Sequence, residues 1–242
     1  MAGGVCAMAK AFDHWNPMEH GELEKLAENL WTIEGALPSM PLKRRMTLAK
    51  RADGGVVVHS AMALEDALMD AIDAWGTVDT LVVPNGWHRL DAPMFKQRYP
   101  KAQVVCPRGS RKKVEEVVAV DADYESCTAD DSVSFEHLDG VKEAEGVMRV
   151  RSKDGVTLVF NDVLFNAPHL PGGQGFVLKL MGSTGGPKVT RIGKLFVVKD
   201  KRALRAHLER LATDDVVRLI PGHGNVVESD GAAVLRAVAQ AL

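Results

Sequence analysis

Apolar residues in this chain gather into short, β-branched runs separated by stretches of helical spacing. The runs Thr80-Leu81-Val82-Val83, Gln103-Val104-Val105-Cys106, Val156-Thr157-Leu158-Val159-Phe160 and Val216-Val217-Arg218-Leu219-Ile220 are nearly continuous, as strands buried on both faces are. Leu30-Trp31-Thr32-Ile33 and residues 45–50 read as strands, and Ala52-Asp53-Gly54-Gly55 supplies a hairpin turn into the strand 56–60. Shorter strands are predicted at 133–135, 146–151 and 195–198, with Lys153-Asp154-Gly155 as a second hairpin turn. Between 63 and 75, Leu64, Ala67, Leu68, Ala71, Ile72 and Trp75 recur at helical spacing, acidic residues fill the other face, and Gly76 ends the segment. Further helices are predicted around 93–99, over 201–211 and from about Ser229 onward. The Gly-rich stretch 171–188 fits no regular element and reads as a flap or insertion.

Residues 1–28 lack clear periodicity and read as an N-terminal arm, leaving 29–242 as one domain. Composition adds little to this picture: 46% hydrophobic and 26% charged residues describe an ordinary globular chain. The net charge of -2 argues against nucleic acid as a partner. No apolar stretch is long enough for a membrane span, and no basic segment precedes an apolar run near Met1, so neither a membrane partner nor a secretory signal is expected. Cys6, Cys106 and Cys127 are odd in number and widely spaced, which suits reduced thiols and a cytoplasmic location. A small-molecule substrate or ligand, and a homodimer, complete the expected partners.

Three of the apolar runs end in a loop carrying a metal-ligating residue type: Val83-Pro84-Asn85-Gly86-Trp87-His88, Phe160-Asn161-Asp162 and Ile220-Pro221-Gly222-His223-Gly224. Proline or glycine directly after a buried strand forces a turn and displays the next polar residue at the sheet rim. Two imidazoles and a carboxylate suit zinc, iron or manganese. Singly, each has a plainer role: His88 as a satisfied polar residue, Asp162 as an anchor for turn N–H groups, and residues 221–224 as a tight turn. Together, in this order, they point to one shared site.

These motifs resemble those of the metallo-β-lactamase superfamily from about Leu30 onward. Asn161-Asp162-Val163-Leu164-Phe165 is similar to the family's Gly-Asp-x-Leu-Phe strand end, and Ile220-Pro221-Gly222-His223-Gly224 to its last ligand motif. The resemblance implies an α/β fold, an αββα sandwich of two mixed β-sheets flanked by helices, with the site at one sheet edge. The family's His-x-His-x-Asp-His motif is degraded: Val83, Asn85 and Trp87 stand at three ligand positions and only His88 survives. The family's middle histidine falls near Leu138-Asp139-Gly140, with His137 close by but off register. Carried over residue by residue, the resemblance leaves His88, Asp162 and His223 as ligands of one divalent metal, zinc before iron or manganese, and as the catalytic set.

Three protein ligands leave positions open for water, whose pKa a zinc ion brings to about 7. The implied function is a single-metal hydrolase of an ester, thioester, lactone or phosphoester. The alternatives are a non-catalytic binding or interaction protein that has lost most of its ligands, and an iron-dependent redox protein. Asp91, His59 and His169 are candidate substitutes for the missing ligands, and Trp87 is expected to wall the pocket. Arg108-Gly109-Ser110-Arg111-Lys112-Lys113 is expected to open a helix capped by Ser110 that could hold an anion, although a solvated basic face explains it as well. The segment 182–188 lacks the glycine and Ser/Thr register of a phosphate loop, and no Gly-x-Ser-x-Gly elbow is present.

Overall fold

Seven strands, neighbours in sequence and in space, form the first sheet of the computed structural model, which describes residues 10–38 and 40–242. They are β1 (Glu24–Ala27), β2 (Leu30–Leu37), β3 (Met40–Lys50), β4 (Gly55–His59), β5 (Thr77–Val82), β6 (Gln103–Cys106) and β7 (Ala122–Asp123). Pairing is antiparallel from β1 to β4 and parallel from β4 to β7. The change falls where helices α1 (Asp66–Trp75) and α2 (Ala92–Arg98) provide the crossovers that parallel neighbours require.

The second sheet holds β8 (Val133–His137), β9 (Gly146–Ser152), β10 (Gly155–Val159) and, after the short β11 (Phe165–Asn166), β12 (Val216–Ile220). Its order is β12-β10-β9-β8, with β12 parallel to β10. A two-residue β13 (His223–Gly224) pairs with β11. The remaining helices are α3 (Arg111–Val114), α4 (Gly172–Leu180), α5 (Lys201–Leu211) and α6 (Gly231–Gln240).

The strand pleat sorts apolar side chains into three layers. In the first sheet Val56, Val58, Leu81, Val104 and Cys106 face α1 and α2 with Met69, Ile72 and Phe95. Their alternates Val57, Val82 and Val105 meet Met148, Val150, Val159 and Ile220 of the second sheet. On that sheet's far side Val156, Leu158 and Leu219 pack on Leu204, Leu208 and Leu235 of α5 and α6. The period of two along a strand thus builds the αββα sandwich that the resemblance implied.

Most boundaries fall within a few residues of their expected places, and the differences have physical causes. The supposed lead-in arm ends in β1, an edge strand whose outward residues are exposed and so carry no apolar pattern. The Gly-rich stretch contains α4, whose three glycines and exposed apolar residues hide its period. Residues 195–198 are not a strand: Gly193–Val197 is a π-helical turn, with Leu195 and Phe196 in solvent. Cys106 and Cys127 are free and buried, and burial raises their thiols to about 12 and about 11, which makes them inert; Cys6 lies outside the described residues. Trp31 stacks on Trp75 and Trp15 on Phe95, as core or cover residues should. No helix among the described residues is long and apolar enough to cross a membrane.

Candidate functional site

His88, Asp162 and His223 meet at the rim shared by the two sheets. His88 follows β5, Asp162 follows β10, and His223 lies on β13 just beyond β12. Local sequence enforces each placement. Asn85 Oδ1 accepts the backbone N–H groups of Trp87 and His88 at 2.8 and 3.0 Å, closing the turn that presents His88. A side chain at Gly222 would lie 2.9 Å from the Asn161 backbone, so only glycine lets the two ligand loops pass so closely. Gly224 has φ +93 and sits against Ala167 and Asn166, a conformation that glycine alone adopts readily.

The Nε2 atoms of His88 and His223 lie 3.1 and 3.2 Å from the same oxygen, Asp162 Oδ1. The rings are anchored from behind. His223 Nδ1 donates to the Lys43 carbonyl at 2.7 Å, and His88 Nδ1 lies 3.1 Å from Ser60 Oγ. Phe165 packs on the His223 ring with centroids 4.6 Å apart. Bonds through Nδ1 fix both rings and aim both Nε2 atoms at one point.

Burial alone would raise the Asp162 carboxyl, but His88 and the hydrogen bonds from both imidazoles hold it well below the usual carboxylate range. Burial works to lower His223, yet its bond and proximity to Asp162 leave it raised. The site therefore carries a carboxylate stabilised by two imidazoles in the metal-free protein.

The donor set fits a divalent ion. With bonds of roughly 2.0–2.2 Å, adjacent ligand atoms of a tetrahedral ion stand roughly 3.3–3.6 Å apart, close to the separations seen. The three side chains offer ligand atoms all within 4.8 Å of one another, the one such group among the described residues. A fourth corner is left open.

Around the other carboxylate oxygen the arrangement differs. Asn85 Nδ2 donates to Asp162 Oδ2 at 2.7 Å and to Glu145 Oε1 at 2.5 Å. Burial, then the nearby Asp162 charge, push the Glu145 carboxyl well above its ordinary range. An amide thus stands between two carboxyl groups, at one of the positions where the resemblance places a lost histidine. Only the Oδ1 side remains for a cation. Sequence reasoning overlooked Glu145 because nothing local distinguishes it; its burial and contacts come entirely from the tertiary fold.

The proposed substitute ligands stay apart from this group. His59 is buried and pushed down to about 3 by burial and by His88, with Nε2 unbonded. Asp91 forms a buried ion pair with Arg44, and His169 Nδ1 bonds Thr184 Oγ1 at 2.9 Å. His137 Nε2 accepts from the Arg108 N–H instead. Trp87 is exposed at the rim. At 108–113, Arg108, Arg111 and Lys113 pair with carboxylates, and Ser110 Oγ donates to the Ala144 carbonyl without capping α3.

No protein-family model matches this chain, and no curated protein matches it. Solved structures do. DIM-1 metallo-beta-lactamase aligns at a TM-score of 0.62 and 13% identity over 93% of this chain and 99% of that one. A metallo-beta-lactamase from Pontibacter korlensis aligns at 0.59 and 11% over 91% and 99%. FIM-1 metallo-beta-lactamase from Pseudomonas aeruginosa, in its mono-zinc form, aligns at 0.58 and 8% over 93% and 96%. At these identities the likeness is one of fold: the chain adopts the metallo-β-lactamase fold.

Proposed function

We propose that this metallo-β-lactamase-fold chain is a single-metal hydrolase in which His88, Asp162 and His223 hold one divalent ion, zinc first. The observation that carries this reading is the convergence of two imidazole Nε2 atoms on Asp162 Oδ1 at 3.1 and 3.2 Å, with each ring anchored through Nδ1. A bound zinc would supply a water of lowered pKa and a Lewis acid toward a carbonyl or phosphoryl oxygen. The chain's own contribution is orientation and charge. Asp162 brings one negative charge to the ion, and Asn85 fixes the carboxylate plane through Oδ2. Burial of Glu145, which raises its carboxyl, disfavours a second negative charge behind it. The mono-zinc state of a fold relative supports one-ion occupancy as a workable state of this architecture. An ester, thioester, lactone or phosphoester is the substrate class such chemistry suits.

A second reading, a binding protein without catalysis, draws on Asn85, whose amide already satisfies the site's inner half. One experiment separates the two. Protein purified without chelator and dialysed against zinc is expected to hold close to one equivalent by elemental analysis, and Asp162→Asn to weaken uptake at least about a hundredfold. Failure of the parent to retain zinc, iron or manganese would favour the binding protein; unchanged affinity in Asp162→Asn would remove these three residues as the ligands.

A further inference from the structure

Between Asp162 and Asp200 the chain has no acidic residue, although it contains 32 in all. The same stretch carries Lys179, Lys188, Arg191, Lys194 and Lys199. Among the described residues none of these five forms an ion pair. Four of them donate instead to backbone carbonyls, those of Thr184, Leu180, Ala241 and Phe196. Elsewhere among the described residues fifteen of the other twenty-five cations form ion pairs, Arg108 alone meeting three carboxylates.

The segment also carries most of the exposed large apolar side chains among the described residues. Phe176, Val177 and Leu180 project from α4, and Leu195 and Phe196 from the π-helical turn, each more than half exposed. The two parts adjoin: Arg191 donates to the Leu180 carbonyl at 3.2 Å, and its stem lies against Gly182. Only Gly175 and Leu178 of α4 are buried, Leu178 packing on Leu42 and Ala167. An apolar cavity of about 300 Å³, lined by Pro41, Gly173, Gln174, Val177 and Leu178, opens beside the same helix.

We propose that residues 172–199 form a face that docks on an anionic lipid bilayer, with the aromatic and leucine side chains in the interfacial layer and the five cations on the headgroups. The unpaired charge selects this occupant. A second copy meeting this face across a two-fold axis would set five cations against the same five. A protein partner is disfavoured by composition, since four of the five cations are lysines, which protein interfaces exclude. Exposed Phe and Leu beside unpaired Lys match an interfacial helix, whose lysine stems reach past apolar surface toward the phosphates. The expectation of no membrane partner rested on the lack of a spanning segment, and surface docking needs no span. The face lies beside the candidate site: a side chain at Gly193 would stand 3.8 Å from the Asp162 carbonyl.

Sedimentation of the full chain with vesicles tests this independently of any metal. The parent is expected to pellet with vesicles of phosphatidylcholine and phosphatidylglycerol in equal parts, to stay in solution with phosphatidylcholine alone, and to be released by raised salt as screening shortens the reach of the headgroup charge. Phe176→Ser with Phe196→Ser should lower the partition coefficient at least about tenfold, since exposed side chains are replaced and the fold is not strained. Lys179→Glu with Arg191→Glu should do the same while leaving the thermal melt unchanged. Asp162→Asn should pellet like the parent, so loss of the metal reading leaves this one intact. The proposal is overturned if the parent ignores anionic vesicles or pellets equally with neutral ones. It is also overturned if neither double variant changes the partition, or if the parent self-associates in sedimentation velocity through a contact that Phe176→Ser with Phe196→Ser abolishes.

Discussion

Asn85→Asp tests the inner half of the site most sharply. The Asn85 amide nitrogen is 2.7 Å from Asp162 Oδ2 and 2.5 Å from Glu145 Oε1. Substitution puts a carboxylate oxygen there, removes two donated hydrogen bonds and strands two buried acceptors, each worth about 1–3 kcal/mol. Two like charges at the Asp162 distance repel by about 6 kcal/mol at an effective dielectric of about 20. Proton uptake by the cluster relieves part of this, so a net loss of about 3–6 kcal/mol is expected at pH 7. For a chain of this length that is a fall in Tm of roughly 10–20 °C. Thermal denaturation followed by circular dichroism, with chelator and then with zinc, reads the effect. Zinc should restore part of the loss, because a cation on the Oδ1 side of Asp162 offsets the added negative charge, and pH 5 should restore part of it by protonation. Asn85→Ala removes the same bonds without adding charge, so its loss should be the same at pH 5 and 7 and indifferent to zinc. A chelated Asn85→Asp protein melting within about 2 °C of the parent would refute the placement of this amide between two carboxyl groups, as would a loss that neither zinc nor acid relieves.

Other outcomes follow from the same geometry. Gly224→Ala is expected to cost about 3 kcal/mol or more in urea denaturation, because φ is +93 and the new Cβ would stand 2.3 Å from the Ala167 nitrogen; a loss below about 1 kcal/mol contradicts that backbone. For the chelated protein, raised His223 contributes stability that is present below the unfolded imidazole value of about 6.5 and is lost as pH rises through its folded value. Lowered Asp162 contributes stability present above about 3.9 and lost as pH falls through its folded value. Both act between about pH 4 and 6.5, so the Tm difference between parent and Asp162→Asn should be largest in that window, and a difference flat from about pH 4 to 9 would deny the coupling.

Sequence legibility followed burial. Strands such as Gln103–Cys106 and Val216–Ile220 are enclosed on both faces, so their apolar runs announced them, and α5 falls at its expected place, where Asp200 caps the N–H groups of Arg202 and Ala203. The ligand trio was legible because each residue follows such a run directly. α4 was not, since a helix that leaves Phe176, Val177 and Leu180 in solvent shows no apolar stripe, and Leu195 and Phe196 imitated a strand for the same reason. Glu145 and Asn85 could not be paired in advance: sixty residues separate them, and their meeting depends on how the sheets stack.

The trio draws His88 from the leading sheet and Asp162 and His223 from the trailing one, so an ion held there would fasten the two leaves of the sandwich together. Bonds that tolerate only tenths of an ångström would then report on any slippage between the leaves. Occupancy and breathing of the core would be a single equilibrium, and the protein could lose its ion through a motion that begins far from it.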